Sequence, residues 1–378
     1  MQFKEVIGQD LAKKGLLNLW HSDKLPHALM LVGKEGTGGL PMALALAQFI
    51  FCENKQANDS CGDCAGCHKV GKLAHPDLHF SFPSISPKPG QKASSNVFMN
   101  DFREFVKQSP YGSTFDWLQF INAENKQGNI TAEECREMID TLNLTAFEGG
   151  YKIQIIWRPE YLGKEGNILL KLIEEPPQKT LILMVAEDVE DVLNTILSRT
   201  QQVHLLPLMP AEIGEALVSK YNTEPRRAAQ VAQLADGNFA HALQLLQYSG
   251  NDLLLPLREW FNGIFTNNGL TLNKWVEDLA KLGREQQKNF LLFTQQLLAH
   301  ALRMSLIPNH HPALPDDEAT FAGKLAQRNF APSVFQAMDE AINKTVYHIE
   351  RNANSKVQLL YLSIQMQYLI QGNELKAF

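Results

Sequence analysis

Four of the five cysteines lie within sixteen residues and form the clearest candidate site in the sequence. Their spacing is Cys52-x8-Cys61-x2-Cys64-x2-Cys67. The C-x2-C steps let neighbouring sulfurs converge on one ion, and four thiolates suit tetrahedral Zn²⁺ in a closed, structural site. An iron–sulfur cluster is the main alternative, although the usual x3-Cys-Pro continuation is missing after Cys67. We predict zinc, and we predict that Cys135, which has the apolar spacing of its own helix, is a core residue.

A glycine-rich turn, G-K-E-G-T-G-G-L at residues 33–40, is the second candidate site. It lies between an apolar run at residues 29–32, which predicts a buried strand, and an Ala- and Leu-rich segment at residues 41–51, which predicts a helix. A phosphate loop follows the pattern G-x-x-x-x-G-K-[ST], in which lysine reaches the β- and γ-phosphates and the hydroxyl holds Mg²⁺. In this sequence Gly39 and Leu40 occupy those two positions.

The turn allows two interpretations. Backbone N–H groups at a helix N-terminus can hold an anion without a lysine. The candidate nucleotide-binding residues are then Gly33, Gly36, Thr37, Gly38 and Gly39. The alternative is a tight strand-to-helix turn with no ligand. Lys34 is a candidate replacement cation, but it lies on the other side of the loop. We therefore predict that ATP is not bound productively.

No acidic pair in the sequence completes a hydrolytic site. Such a site ends a strand with Asp-Glu, whereas the predicted strand that contains I-Q-I-I continues into Trp157 and Arg158, which are poor metal ligands. We interpret Glu160 as a surface glutamate. Glu174 and Glu175 precede two prolines, and we interpret them as a solvated helix end.

Arg199 is the third candidate, because it follows a predicted helix just after the last apolar strand. A guanidinium offered across a subunit interface can stabilise charge that develops on another subunit's γ-phosphate. Ser198 precedes it and would support it. From composition alone the simpler reading is a surface salt bridge, which is what most arginines form.

Composition and charge narrow the class of protein. The 378 residues include 44% hydrophobic and 20% charged side chains, which excludes a chain that is disordered throughout. The net charge is −6, from 35 Lys and Arg against 41 Asp and Glu, which disfavours a strongly basic nucleic-acid binder. No apolar run reaches the ~18 residues of a membrane span, and the first residues lack the layout of a signal peptide. We predict a cytoplasmic protein without a membrane partner.

The order of elements predicts an α/β domain followed by helices. Apolar strands at residues 29–32, 152–157 and 181–186 alternate with helical segments, which predicts a parallel sheet covered on both faces. Thr131 and Glu134 form a predicted capping box, and residues 84–100 look like an exposed insertion. Beyond residue 207 only helical patterns remain. The predicted domains are 1–206, with the cysteine module at 52–67 and an insertion at about 84–130, then 207–250 and 251–378.

These features occur together in one protein family. The sequence resembles the delta-prime family of bacterial DNA polymerase III clamp-loader subunits, within the AAA+ superfamily. The matching motifs are Ile7-Gly8-Gln9, His27-Ala28-Leu29, the cysteine insert with His75-Pro76-Asp77 after it, N-I-L-L-K-L-I-E-E-P-P at residues 167–177, and Leu197-Ser198-Arg199-Thr200, with Thr200 in place of the family's cysteine. The resemblance covers residues 5–80 and 130–207, and it implies an AAA+-like first domain, a small helical lid and a C-terminal helical collar.

The sequence departs from the active ATPases of this family at four places. The replaced parts are the loop lysine and hydroxyl (Gly39, Leu40), the Asp-Glu pair (Trp157, Arg158), the polar sensor after the last strand (Ala186 or Glu187) and the arginine of the later sensor motif (Ala240). Arg199 is retained. The resemblance therefore implies a subunit that does not hydrolyse ATP itself but supplies an arginine finger to its neighbour.

The resemblance also implies partners and a setting. The gamma and tau ATPase subunits would present ATP to Arg199, the delta subunit would open the beta sliding clamp, and the ring would load that clamp on primed DNA during replication. The chain would then belong to a nucleoid-associated DNA polymerase holoenzyme, whose nucleotidyl transfer lies elsewhere.

Two other hypotheses remain open at this stage. One is an autonomous ATPase that uses Lys34 in a non-standard loop. The other is a zinc-dependent DNA-binding regulator, for which the short basic run H-K-V-G-K after Cys67 is slight evidence.

Overall fold

The computed structural model describes residues 1–87, 93–123, 126–247, 253–307, 314–350 and 353–371. The chain divides into two compact units, Met1–Leu246 and Gln247–Phe378. The first unit contains a parallel sheet with helices, and the described part of the second consists of helices. The sequence-based boundary at residue 250 falls outside the described residues, and the three-domain division stays a prediction.

Five parallel strands form the sheet, in the order β2-β3-β4-β1-β5. Their bounds are β1 Ala28–Val32, β2 Leu78–Ser81, β3 Lys152–Trp157, β4 Thr180–Ala186 and β5 Gln201–His204. β1, β3 and β4 are buried along their whole length, with a hydrophobic cluster on each face of the sheet. This confirms the predicted α/β fold class and the three predicted strands. The edge strand β5 was not predicted because its sequence, Q-Q-V-H, is polar and mostly exposed.

Helices accompany the sheet up to residue 247, and those after residue 209 share a separate hydrophobic cluster. The helices up to residue 247 are α1 Asp10–His21, α2 Gly39–Phe51, α3 Ala65–Gly71, α4 Met99–Gln108, α5 Thr114–Phe120, α6 Ala132–Asn143, α7 Leu170–Glu174, α8 Asn194–Leu197, α9 Pro210–Tyr221, α10 Pro225–Leu234 and α11 Phe239–Gln247. A 3-10 segment, Pro159–Leu169, leads directly into α7, so the helix predicted at residues 167–175 is partly 3-10 in form. α2 begins two residues before the predicted start, after Gly38 in a left-handed conformation that glycine adopts easily.

The segment at residues 84–130 contributes buried side chains to the core, and its residues 88–92 and 124–125 lie outside the described residues. Aromatic rings of α4 and α5 pack together and against Trp157 at the end of β3, with Phe102 and Trp157 centroids 5.6 Å apart. Trp117 is fully buried and donates from its indole N–H to the carbonyl of Pro83 at 2.7 Å. The prediction of an exposed insertion is therefore wrong for Ala93 and Ser95, which are buried.

The start of α6 corrects one side-chain prediction. Thr131 caps the helix, since its hydroxyl accepts the backbone N–H of Glu134 at 3.3 Å. The Glu134 side chain does not reach back to complete a capping box. It is buried and accepts hydrogen bonds from the backbone N–H and the hydroxyl of Ser95. Burial raises the pKa of Glu134 to about 7, and the bonds from Ser95 offset part of that rise.

The second unit consists of helices in its described residues. They are α12 Leu254–Phe265, α13 Gly269–Ala280, α14 Arg284–Leu306, α15 Asp316–Ala326, α16 Pro332–Glu350 and α17 Ser355–Ile370. Their core includes the stacked rings of Trp260 and Trp275, 4.6 Å apart, and a hydrogen bond of 2.8 Å from the Trp260 indole to Ser363. In both units, none of the described helices has the length and apolarity that crossing a membrane requires.

Candidate functional site

The four clustered cysteines converge on one point. Cys52 caps the end of α2, Cys61 lies in the following loop, and Cys64 and Cys67 are at the start of α3. Their sulfurs all lie within 4.8 Å of one another. The Cys61–Cys67 sulfur distance is 3.9 Å and the Cys52–Cys64 distance is 4.0 Å. Four sulfurs at ~2.3 Å from a tetrahedrally bound ion would be ~3.8 Å apart, so this cluster can hold a metal ion.

Backbone N–H groups point at these sulfurs. Cys61 N donates to Cys52 Sγ at 3.2 Å, and Glu53 N and Cys67 N both donate to Cys64 Sγ at 3.4 Å. Burial alone would raise the pKa of Cys64, but the N–H groups of Cys67 and Glu53 outweigh it and lower that pKa to about 6. Burial raises the pKa of Cys52 and Cys67. A bound cation would supply the positive charge that the buried thiolates need.

The glycine-rich turn connects β1 to α2 as predicted, but other parts of the chain cover it. Gly36 has a left-handed conformation, and a Cβ there would overlap the Asn238 side chain. The carbonyl of Gly36 accepts the backbone N–H of Phe239 at 3.1 Å, and the Asn238 amide donates to Glu35 at 3.3 Å. The first turn of α11 therefore contacts the middle of the loop.

Side chains also fill the space beside the other loop glycines. Tyr111, from the 84–130 segment, lies 3.1 Å from where a Cβ of Gly38 would be, and its hydroxyl accepts the backbone N–H of Ile7 at 2.8 Å. A Cβ on Gly33 would be 2.7 Å from the Cβ of Leu205, and one on Gly39 would be 2.7 Å from Val185.

Thr37 and Lys34 of the same loop differ in exposure. Thr37 is buried, and its hydroxyl donates to the carbonyl of Lys34 at 2.6 Å. The Lys34 side chain is exposed. The loop thus holds its own hydroxyl internally, and its one lysine is at the surface.

The carboxyl ends of β3 and β4 carry an internal ion cluster. Arg158 contacts the carboxylate of Glu187, and its Nε lies 3.9 Å from Glu160. Glu160 Oε1 accepts the backbone N–H groups of Glu187 and Asp188 at 2.6 and 3.1 Å. The interpretation of Glu160 as a surface glutamate is wrong, because only 8% of its side chain is exposed. Burial raises the pKa of Glu160, and Arg158 offsets part of that rise.

Arg199 lies at an exposed edge of the first unit, just after α8. Its Nε donates to the carboxylate of Glu174, and its Nη1 donates to the Thr195 carbonyl at 2.9 Å and to the Ser198 hydroxyl at 3.2 Å. The side chain is 35% exposed. The N–H groups of Nη2 make no hydrogen bond to any residue within the described ranges. Glu174 is therefore a partner of Arg199 rather than only a solvated helix end.

Comparison with known proteins places this arrangement in a family. A family model described as "DNA polymerase III, delta subunit" matches residues 8–209, which is more than half of the chain. The chain belongs to this family. Two similar relatives are called DNA polymerase III subunit delta'. The Bacillus subtilis (strain 168) protein is 28% identical over 63% of this chain, and the Escherichia coli (strain K12) protein is 24% identical over 82%. The resemblance inferred from the motifs is thereby confirmed.

The matched regions differ in extent. The chain spans 59% of the Bacillus subtilis relative and 79% of the Escherichia coli relative. The tau subunit of Escherichia coli (strain K12) is 24% identical over 64% of this chain and 32% of its own length. Among solved structures, a DNA polymerase III gamma subunit-related protein from Thermotoga maritima covers 94% of this chain with 14% identity and a TM-score of 0.40.

The structure brings together some predicted residues and adds others. The four cysteines converge, and the five loop residues Gly33, Gly36, Thr37, Gly38 and Gly39 form one continuous turn. Arg199 and Ser198 are together at the edge, far along the chain from the cysteines. Sequence reasoning missed Tyr111 and Asn238, which cover the loop, and Glu187, which pairs with Arg158. Their contacts join residues more than 25 positions apart, and no local pattern reports them.

Proposed function

We propose that this chain is the delta-prime-type subunit of a replicative clamp loader, which does not hydrolyse ATP itself and completes the ATP site of a neighbouring subunit with Arg199. The observation that carries the proposal is the contrast between the covered glycine loop and the exposed guanidinium at residue 199. Membership in the family and the delta' relatives support the assignment to a clamp loader.

The chemistry of the loop supports the absence of ATP hydrolysis. Lysine and hydroxyl are replaced by Gly39 and Leu40, and Leu40 is buried. The place of the acidic pair is taken by Trp157, which packs among aromatic rings, and by Arg158, which is paired with Glu187. A Mg²⁺ ion finds no ligand in such side chains, and a guanidinium already supplies the local positive charge.

Arg199 would act on a neighbour. In phosphoryl transfer, negative charge spreads over the γ-phosphoryl oxygens in the transition state, and an arginine supplied in trans stabilises that charge. The guanidinium is planar, and its two Nη2 N–H groups, which bond no residue of the described ranges, match the geometry of phosphate oxygens. Ser198 supports this role by accepting one of the other N–H groups.

The metal of the cysteine cluster is proposed to be zinc. Four thiolates and sulfur distances near ~3.8 Å suit tetrahedral Zn²⁺. Zinc bound by four sulfurs has no open position, so its contribution is structural: it would hold the loop between α2 and α3 in place. The iron–sulfur alternative is decided by elemental analysis.

The second unit is proposed to hold the subunits together as a collar. The outer face of α17 carries exposed apolar side chains at helical spacing, namely Val357, Leu360, Tyr361, Ile364 and Tyr368. The opposite face is buried, with Leu359, Leu362 and Met366 fully enclosed. A helix that is apolar on both faces is typical of a contact with another chain. The corresponding domains would be 1–206, a lid at 207–250 and the collar at 251–378.

The proposed partners are the gamma or tau ATPase subunits and the delta subunit. The assembled ring would act on the beta sliding clamp and primed DNA in the cytoplasm.

Reconstitution tests the proposed function. The purified chain alone should show no Mg²⁺-dependent ATP hydrolysis and no salt-sensitive binding to short DNA. Mixed with the ATPase and delta subunits, it should elute as one complex. Hydrolysis by the isolated chain, or failure to join the complex, would contradict the proposal.

A further inference from the structure

Arg199 lies at the end of one of two neighbouring segments of the first unit. Side-chain hydrogen bonds link these segments at three places. The first segment runs from residue 158 to 174, and the second from residue 187 to 199. At the far end, Glu160 accepts the backbone N–H groups of residues 187 and 188. In the middle, the hydroxyl of Thr195 donates to the amide oxygen of Asn167 at 3.1 Å. At the near end, Arg199 Nε donates to Glu174.

Both side-chain bonds join the same two segments. Asn167 belongs to the 3-10 segment Pro159–Leu169, and Glu174 is the last residue of α7. Thr195 is in α8, and Arg199 follows the end of that helix. The two segments therefore approach each other closely enough to form both bonds at once. The N-x-L-L-K-x-x-E-E-P-P sequence thus supplies two residues that touch the Arg199 segment.

The bonds on Arg199 fix its guanidinium from one side. Nε is bound by Glu174, and both N–H groups of Nη1 are used by the Thr195 carbonyl and the Ser198 hydroxyl. A long, flexible side chain is thereby ordered before any partner arrives. The N–H groups of Nη2 remain unused by the described residues, and the side chain is 35% exposed.

We propose that Glu174 and Asn167 are positioning residues for Arg199, which hold the guanidinium so that its unused edge meets the γ-phosphate of a neighbouring subunit's ATP. The inference rests on the proposed function of Arg199. Glu174 orients the side chain directly. Asn167 acts through Thr195, whose carbonyl binds Nη1. If the guanidinium is displaced by about 1 Å, it stabilises the transition state less well, and the ATP turnover of the neighbouring subunit falls although the arginine is still present.

The test uses the full chain in a complex reconstituted with its ATPase and delta subunits. The variants are Glu174→Gln and Asn167→Ala, with Arg199→Ala as reference and Glu175→Gln as control. Glu175 is an exposed neighbouring acid, and the side-chain hydrogen bonds of Arg199 within the described residues go to Glu174, Thr195 and Ser198 instead. The DNA-stimulated kcat should fall about 3- to 10-fold for Glu174→Gln and less for Asn167→Ala, with unchanged KM for ATP, because only transition-state stabilisation is lost.

A double variant separates positioning from general stability. Glu174→Gln combined with Arg199→Ala should be no slower than Arg199→Ala alone, since Glu174 acts only through the arginine. The melting temperature and complex formation of Glu174→Gln should match those of Glu175→Gln, and Glu174→Asp should recover part of the lost kcat.

The outcomes distinguish two failures. If Arg199→Ala leaves the partner's turnover unchanged, the proposed function fails. If Arg199→Ala lowers turnover while Glu174→Gln and Asn167→Ala behave like Glu175→Gln, the finger stands and the positioning role is overturned. A rise in kcat for Glu174→Gln also overturns it, because Glu174 would then compete for the guanidinium.

Discussion

The glycine turn at residues 33–40 and the edge at residues 198–200 lie in the same unit, but the turn is covered by other residues whereas the edge is exposed. Tyr111 and Asn238 lie over the turn, at Gly38 and Gly36. The edge leaves part of one guanidinium group open to solvent. Both regions carry motifs of one family, so the comparison bears directly on the proposed division between a subunit's own ATP site and a residue it would supply to a neighbour.

The difference has a physical basis. If a turn binds no ligand, other side chains can pack against it, because buried apolar and amide contacts stabilise the unit. An arginine that serves another subunit cannot be packed over without losing that role. Here the hydrogen bonds of Arg199 use Nε and Nη1, and no residue in the described part of the chain bonds Nη2. The motif at residues 167–174 contacts the segment that contains the arginine, through Asn167 and Glu174.

The largest expected effect comes from removing two cysteines of the proposed zinc site, which lies at the far end of α2, the helix that follows the glycine turn. The native chain should contain about one Zn²⁺ by elemental analysis, and the Cys61→Ser, Cys64→Ser double variant should contain none. Its melting temperature should fall by well over 10 °C, because structural zinc sites contribute several kcal/mol or more.

Cys135→Ala provides the matched thiol control for that measurement. Cys135 is buried outside the cluster, so this variant should keep its zinc and lose only about 1–2 kcal/mol of stability. An iron signal in the native protein, or full metal content in the double variant, would contradict the zinc proposal.

A smaller effect is expected at the ion cluster beside the turn. Arg158→Met leaves the buried Glu160 without its cation, which should lower the free energy of unfolding by about 3 kcal/mol. The loss should grow as pH rises. Burial already raises the pKa of Glu160, so its contribution to stability is present at low pH and is lost as pH rises through the folded pKa.

Chemical denaturation at pH 5 and pH 8 measures that dependence. The Arg158→Met, Glu160→Gln double variant should be less sensitive to pH than Arg158→Met. Equal losses at both pH values in the single variant would show that Arg158 does not compensate Glu160.

The smallest expected effect follows from restoring the missing loop residues. Gly39→Lys with Leu40→Ser recreates the phosphate-loop pattern, but the chain should still bind no ATP in a fluorescent-nucleotide titration. A Cβ at residue 39 would crowd Val185, and the hydroxyl at residue 40 would be buried, so stability should fall by about 1–3 kcal/mol. Micromolar ATP binding by this variant would mean that the turn remains an open site, and the comparison between the two regions would fail.

The sequence predicts the parts of the structure that depend on local pattern. Apolar runs predict β1, β3 and β4, and cysteine spacing predicts the cluster. It does not predict β5, whose polar residues form a strand only because β1 lies beside it. The burial of Glu160 also depends on a distant partner, since a carboxylate is buried only where N–H groups and a cation meet it.

The cover over the turn could not be predicted either. Tyr111 is in a segment that local patterns mark as an insertion, and Asn238 is two hundred residues from Gly36. Tyr111 and Phe239 of α11 belong to one hydrophobic cluster, and the packing of that cluster brings Tyr111 and Asn238 to the loop. Arg199 forms the surface salt bridge that the sequence favoured on composition alone, but its partner, Glu174, could not be predicted because it lies 25 residues away.

The proposed action of Arg199 on ATP held by another subunit is tested by the DNA-stimulated ATPase rate of the reconstituted complex. The rate with Arg199→Ala is compared with the rate with Arg136→Ala, which removes an exposed arginine on α6. Both complexes should assemble intact, and the rate should be at least about 10-fold lower for Arg199→Ala alone. Equal rates in the two complexes would rule out the arginine finger.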